Sequence, residues 1–306
     1  MPRSAFPHLP VFFRRMLGMT LAFFVLGPSL LQAQPSNHLG LPSLSPVQKG
    51  EFLLSQSRNQ EAAEQFRSLI AEGEVGGYVF RGLIRAYLNL DKLGEAKQLT
   101  TDFLAENPDS PGALYGLGYI FYLSEDIDKA EEYFKRAVAS DPRNALALNN
   151  WGAVLARQKS YVRAAEKVRE AIQLNPSEPM FFRNLEIIYR EMGGSGLILA
   201  DFEYYLGQGN SEVANAYGKA VARSLRQKSF QLYAQGQLDG TIDRFEEMET
   251  VYKKIGHTSG LVSVYFSLGL LYEEKGNTSQ AKIFFDRVLI INPLHLQAKD
   301  RLNRLQ

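Results

Sequence analysis

Large and small apolar residues recur at helical spacing along most of the chain. Between Pro111 and Pro142, Leu114, Leu117, Gly118 and Phe121 fall on one stripe, and Ala130, Phe134 and Ala137 fall on a second after a polar break at Ser124–Asp126. Apolar positions at i, i+3, i+4 and i+7 mark an amphipathic helix. The stretch therefore predicts two helices joined by a short turn, with Pro142 ending the second. The same order returns over 77–110 (Phe80, Leu83, Ile84, Tyr87, Ala96, Phe103), 145–178 (Leu148, Trp151, Gly152, Leu155, Ala164, Val168, Ala171) and 262–295 (Tyr265, Leu268, Gly269, Tyr272, Ala281, Phe285, Val288). Pro108, Pro142 and Pro176 are each 34 residues apart. Self-similarity at this period signals stacked helix hairpins.

Weaker copies fill the gaps. One spans 43–76, with a first helix expected from about Val47 to Gln56. Another spans 179–212 and loses the pattern at Gly193–Gly196, where a longer loop and a shortened second helix are expected because glycine disfavours helix by up to about 1 kcal/mol per residue. A long helical pattern runs from Ser211 to Gln235, and its end opens a longer unit at about 222–261. The tail from Leu294 should form a solvating cap helix with Ala298, Leu302 and Leu305 inward. The small residues Gly118, Gly152 and Gly269 lie where paired helices approach closely, and the alanines at 130, 164 and 281 are expected to face them.

This alternation of large and small residues closed by a proline resembles the tetratricopeptide repeat (TPR) family. The resemblance covers nearly all of 43–306. It implies an all-α fold, a right-handed superhelical solenoid of helix hairpins with a C-terminal cap helix. The N-terminal array would occupy 43–212 (repeats 43–76, 77–110, 111–144, 145–178 and a degenerate 179–212) and the C-terminal array 213–306 (222–261, 262–295 and the cap). It further implies a concave groove that binds peptides or proteins without catalysis.

By the family arrangement, the groove is lined by the second stripe of each first helix. That stripe carries Arg81 and Arg85, then Tyr115, Tyr119 and Tyr122, then Asn149, Asn150 and Arg157, then Arg183, Asn184 and Arg190, with Arg223 and Arg226 continuing it. It is nearly free of acid, Glu191 excepted. Arginine grips carboxylates bidentately, and tyrosine offers rigid contact area with a polar tip. Acidic segments of a protein partner are therefore the expected ligands. Asn150 and Asn184, one repeat apart, look like two rungs of the asparagine ladder with which some TPR arrays hold an extended peptide.

The first residues change where this scaffold should act. Arg14 and Arg15 precede an apolar run from Met16 to Leu26, and small Ala33 follows before a Pro/Ser/Gly-rich stretch that reads as a linker over 34–46. This is the plan of a signal peptide over 1–33, cleaved near Ala33. The alternatives are an uncleaved N-terminal anchor and a mitochondrial-type presequence. The expected location is the periplasm or the exterior, or, with an uncleaved anchor, a membrane-bound protein facing the periplasm. Membrane contact is expected only through that segment.

The whole chain of 306 residues carries a net charge of +1, and without residues 1–33 the balance is 31 basic against 33 acidic. Nothing in that balance suggests nucleic acid. With no cysteine and only His8, His38, His257 and His295, no metal, cofactor or catalytic constellation is expected. The expected function is an exported, non-enzymatic binding scaffold. The alternatives are a structural TPR protein that oligomerises through its array ends and a membrane-anchored assembly factor for an envelope complex.

Overall fold

A computed structural model describes residues 44–194 and 196–305, so the expected signal segment and most of the linker lie outside the described residues. Among these residues there are fifteen α-helices and no strand. The described residues divide into two compact units, 44–200 and 201–305.

In the first unit the helices are α1 (Pro46–Ser55), α2 (Asn59–Ala71), α3 (Gly77–Asn89), α4 (Leu93–Glu106), α5 (Pro111–Leu123), α6 (Ile127–Ser140), α7 (Ala145–Arg157), α8 (Tyr161–Leu174) and α9 (Pro179–Glu191). Local chemistry sets the starts. Ser110 accepts a hydrogen bond from the Ala113 amide, and Pro111 occupies the first turn of α5. Asp126 caps α6 through the Lys129 amide, and Asn144 caps α7 through the Ala147 amide. These side chains satisfy amides that a helix start leaves unpaired.

The turn inside each hairpin reverses through one residue of left-handed backbone. Ser57, Asp91, Glu125, Lys159 and Gly193 hold this place, each with φ between 57° and 72°, and they lie 34 residues apart in sequence. Gly236 and Gly276 fill it in the second unit.

The close approach of the paired helices is confirmed, with a different partner from the one expected. A Cβ added to Gly118 would lie 2.7 Å from the ring of Phe134. At Gly152 it would lie 2.6 Å from Val168, and at Gly269 2.5 Å from Phe285. The residue facing each glycine is thus the large one a turn beyond the alanine. The alanines are fully buried, but the glycine serves to let a bulky side chain lie against bare backbone.

Helix α10 (Leu197–Gly207) has 11 residues against 14 in α6 and follows a longer connection after α9, as the glycines at 193–196 led us to expect. The second unit continues with α11 (Ser211–Ala234), α12 (Leu238–Lys254), α13 (Thr258–Glu274), α14 (Thr278–Ile291) and α15 (Leu296–Arg304). Helix α11 runs 24 residues without a break. In α15 Ala298 is fully buried, while Leu302 and Leu305 are half-buried. Among the described residues no helix is long and apolar enough to cross a membrane.

Candidate functional site

In the first unit the second stripe is carried by α3, α5, α7 and α9. The structure divides its residues by depth. Tyr115, Asn149 and Asn150 lie in the interior, at 0%, 0% and 8% exposure. Tyr119 and Tyr122 are half-buried, as are Arg81, Arg85 and Asn184, while Arg157, Arg183 and Arg190 are exposed.

The asparagines are largely used on one another. Asn184 Nδ2 donates to Asn149 Oδ1 at 3.0 Å, Asn149 Nδ2 to Asn150 Oδ1 at 2.8 Å, and Asn150 Nδ2 to the Tyr115 hydroxyl at 3.3 Å. One chain of hydrogen bonds therefore crosses from α9 through α7 to α5. Buried amides are stable only when paired in this way. Burial pushes the Tyr115 phenol well above its usual range, and Tyr119, stacked on it with ring centres 6.1 Å apart, shifts the same way for the same reason. At the outer end, Asn184 Oδ1 accepts no hydrogen bond among the described residues.

The expected scarcity of acid does not hold at α3. Arg85 pairs with Glu51 of α1 at 2.6 Å, and Arg81 lies 3.4 Å from Glu178 and 3.8 Å from Glu51. Tyr78 joins the cluster. It accepts from Asn175 Nδ2 at 2.7 Å, its hydroxyl faces Glu178 at 3.5 Å, and the Arg81 guanidinium sits 5.3 Å from its ring centre. Glu178 caps the start of α9, its side chain accepting from the Met180 amide. Its second partner lies 97 residues away, a distance no helical pattern encodes. Glu51 left a fainter signal, lying one 34-residue period before Arg85.

At the other end of the stripe the side chains form a cleft of about 290 Å³. Ala153, Ala156, Ile187 and Ile188 give it an apolar floor, and Tyr122, Tyr161, Arg157, Asn184 and Glu191 surround it. The Arg157 guanidinium lies 5.1 Å from the Tyr122 ring centre and 3.6 Å from Glu125. Arg190 reaches only its neighbour Glu191, at 4.0 Å. Ile187 is 47% exposed. Three of the expected residues, Tyr122, Arg157 and Asn184, thus meet around one recess. Tyr161, Ile187 and Ile188 were not anticipated: Tyr161 opens α8, Ile188 lies beside the stripe, and Ile187 lies on it in register with Tyr119 but is apolar, where charged, amide and aromatic residues were sought.

In the second unit Arg223 is exposed and Arg226 is half-buried, with the Arg226 guanidinium 3.5 Å from the Tyr252 hydroxyl. Tyr233, which the stripe would also include, is buried and donates to Glu274. Among the described residues no group of three or more acidic, His or Cys side chains is placed to hold a metal ion.

Fold and spacing define the class as an α-helical repeat protein built from hairpins. Sequence profiles described as tetratricopeptide repeat match residues 81–145, 124–179 and 262–293. The chain belongs to the tetratricopeptide repeat family. It is 34% identical over 117 residues to the type IV pilus assembly protein PilF of Pseudomonas aeruginosa, a match covering 38% of this chain and 46% of PilF. It is 23% identical over 295 residues to the TPR repeat-containing protein MJ1428 of Methanocaldococcus jannaschii, covering 85% of this chain and 45% of that protein. The chain therefore spans less than half the length of these relatives. Among solved structures, the Cut9–Hcn1 hetero-tetramer of the APC/C aligns over 96% of this chain and 52% of its own, with TM-score 0.41 and 14% identity.

Proposed function

We propose that the chain is a non-catalytic scaffold, exported to the envelope, that holds an extended peptide segment of a partner protein against the face built by α5, α7 and α9. The cleft between Tyr122, Arg157 and Asn184 carries this reading. Its apolar floor suits one aliphatic side chain of a ligand. The Asn184 Oδ1 can accept a ligand backbone N–H, because the amide is oriented by its bond to Asn149. Arg183 and Arg190, both exposed, favour acidic residues beside that aliphatic one. Arg81 and Arg85 add little to that preference, since Glu51 and Glu178 already neutralise them.

A peptide-display selection on the full chain tests this. Sequences pairing an aliphatic residue with acidic neighbours should be enriched, and an Arg157→Glu/Arg183→Glu variant should lose them. Equal enrichment by both proteins would overturn the reading. The export part rests on residues 1–33 and is supported by the likeness to a pilus assembly protein. N-terminal sequencing of the exported protein should begin at Gln34, and an intact Met1 in membranes would point to the anchored alternative.

A further inference from the structure

The turn between α14 and α15 differs from the corresponding turns of the other three close repeats. Ile290, Leu294 and Leu296 are 79%, 80% and 78% exposed. One period apart in the other close repeats, the place of Ile290 is held by Ala105, Ala139 and Gln173, and that of Leu294 by Asp109, Arg143 and Ser177. The fold therefore does not require large aliphatic residues at 290 and 294. No charged residue occurs from Val288 to Ala298.

The turn is also closed by hydrogen bonds and has few free donors. The Asn292 amide bonds Val288 O at 2.8 Å, Leu294 N bonds Asn292 Oδ1 at 3.2 Å, and His295 N bonds Asn292 O at 3.1 Å. Pro293 has no N–H, and His295 Nδ1 accepts from the Ala298 amide at 3.2 Å. The three exposed side chains thus stand on a tip whose backbone donors from 292 to 295 are already satisfied.

We propose that this tip inserts shallowly into a phospholipid bilayer. A non-polar medium disfavours unpaired backbone N–H groups, and those of Asn292, Leu294 and His295 are paired within the turn. A protein pocket is the less suited occupant. The tip offers none of the Trp, Tyr or Arg anchors on which protein interfaces depend. Lys299 follows the tip and can extend its ammonium toward headgroups. Asp286, one turn before Ile290, limits the depth to the interface. This contact adds a membrane-facing element outside the N-terminal segment, and it is independent of the cleft at Arg157.

The chain has no cysteine, so Leu294→Cys places a single environment-sensitive fluorophore on the full-length protein. With phosphatidylcholine/phosphatidylglycerol vesicles, its emission should shift to the blue and be quenched by nitroxide-bearing lipid. The same fluorophore at Arg143→Cys, on an equivalent turn, should not respond. Adding Ile290→Ser and Leu296→Ser should abolish the response at position 294. The readout is local to the turn, so attachment through the apolar run at 16–26 does not imitate it. No response at 294, or an equal response at 143, would overturn the proposal. So would a blue shift that needs no vesicles and grows with protein concentration, which would mean that the tip packs against a second copy.

Discussion

At the scale of single residues, the repeat is defined as much by one backbone angle as by its apolar pattern. Lys159 and Glu125 both adopt φ 61° in the hairpin turn, where Gly193, Gly236 and Gly276 do the same without a Cβ. Left-handed backbone costs an ordinary L-residue about 1–2 kcal/mol, and glycine is relieved of that strain at some expense in unfolded-chain entropy. Lys159→Gly should therefore stabilise the protein by about 0.5–1 kcal/mol, read as a raised urea midpoint. The reverse change, Gly236→Ala, should destabilise it by a similar amount. Opposite signs at two places in the same register would tie the effect to the turn. The glycines at 193 and 236 were visible in the sequence as helix breaks. The non-glycine members were not, because Ser, Asp, Glu and Lys carry no signal that separates a strained turn residue from a solvated one. The pattern of small residues was likewise legible, but its partner was not. Spacing alone brings both Ala130 and Phe134 near Gly118, and only the packed helices show that the ring takes the place of a Cβ.

At the scale of elements, helix count and order were readable because a 34-residue period repeats the same stripe until chance is excluded. The contacts between helices carry the finer energetics. Tyr272 of α13 stacks on Phe284 of α14, with ring centres 5.5 Å apart and planes 7° from parallel, and donates its hydroxyl proton to Glu246 of α12 at 2.8 Å. Burial and this bond to a carboxylate push its phenol up to about 12 from an ordinary value of 10.0. The fold thus prefers the neutral phenol. The stability that this preference contributes is intact below the ordinary value and is lost as pH rises through about 12. Tyr272→Phe should lower the urea midpoint at neutral pH by removing the hydrogen bond, while its own stability should fall less steeply across the alkaline range than that of the wild type. Lysines titrate in the same range in both proteins, so the difference between the two curves isolates Tyr272. Parallel curves would show that the Glu246 contact does not form in solution.

At the scale of the larger compact unit, what the sequence could not show is how far the array coils before it meets itself. A repeat protein is usually treated as quasi-one-dimensional, each repeat touching only its neighbours. The unit over residues 44–200 departs from that description. Asn175, at the end of α8, donates to Tyr78 of α3 at 2.7 Å, and Arg81 of α3 faces Glu178 at the start of α9 at 3.4 Å. These pairs are 97 residues apart and join non-adjacent repeats, so they depend on the accumulated rotation of every hairpin between them. No local pattern holds that information, and for this reason a stripe that looked cationic in sequence closes on its own carboxylates. The consequence is measurable. In a strictly nearest-neighbour array, Tyr78→Phe and Asn175→Ala would be additive. With the hydrogen bond in place, the double-mutant cycle should instead return a coupling of about 0.5–1.5 kcal/mol, obtained from urea unfolding of the wild type, both single variants and the double variant. Coupling of that size would mean that the second and fourth repeats of the unit stabilise each other directly, so that a ligand wedging the face open must break this contact as it binds. Strict additivity would leave the face open and return Arg81 to the set of residues available to a partner.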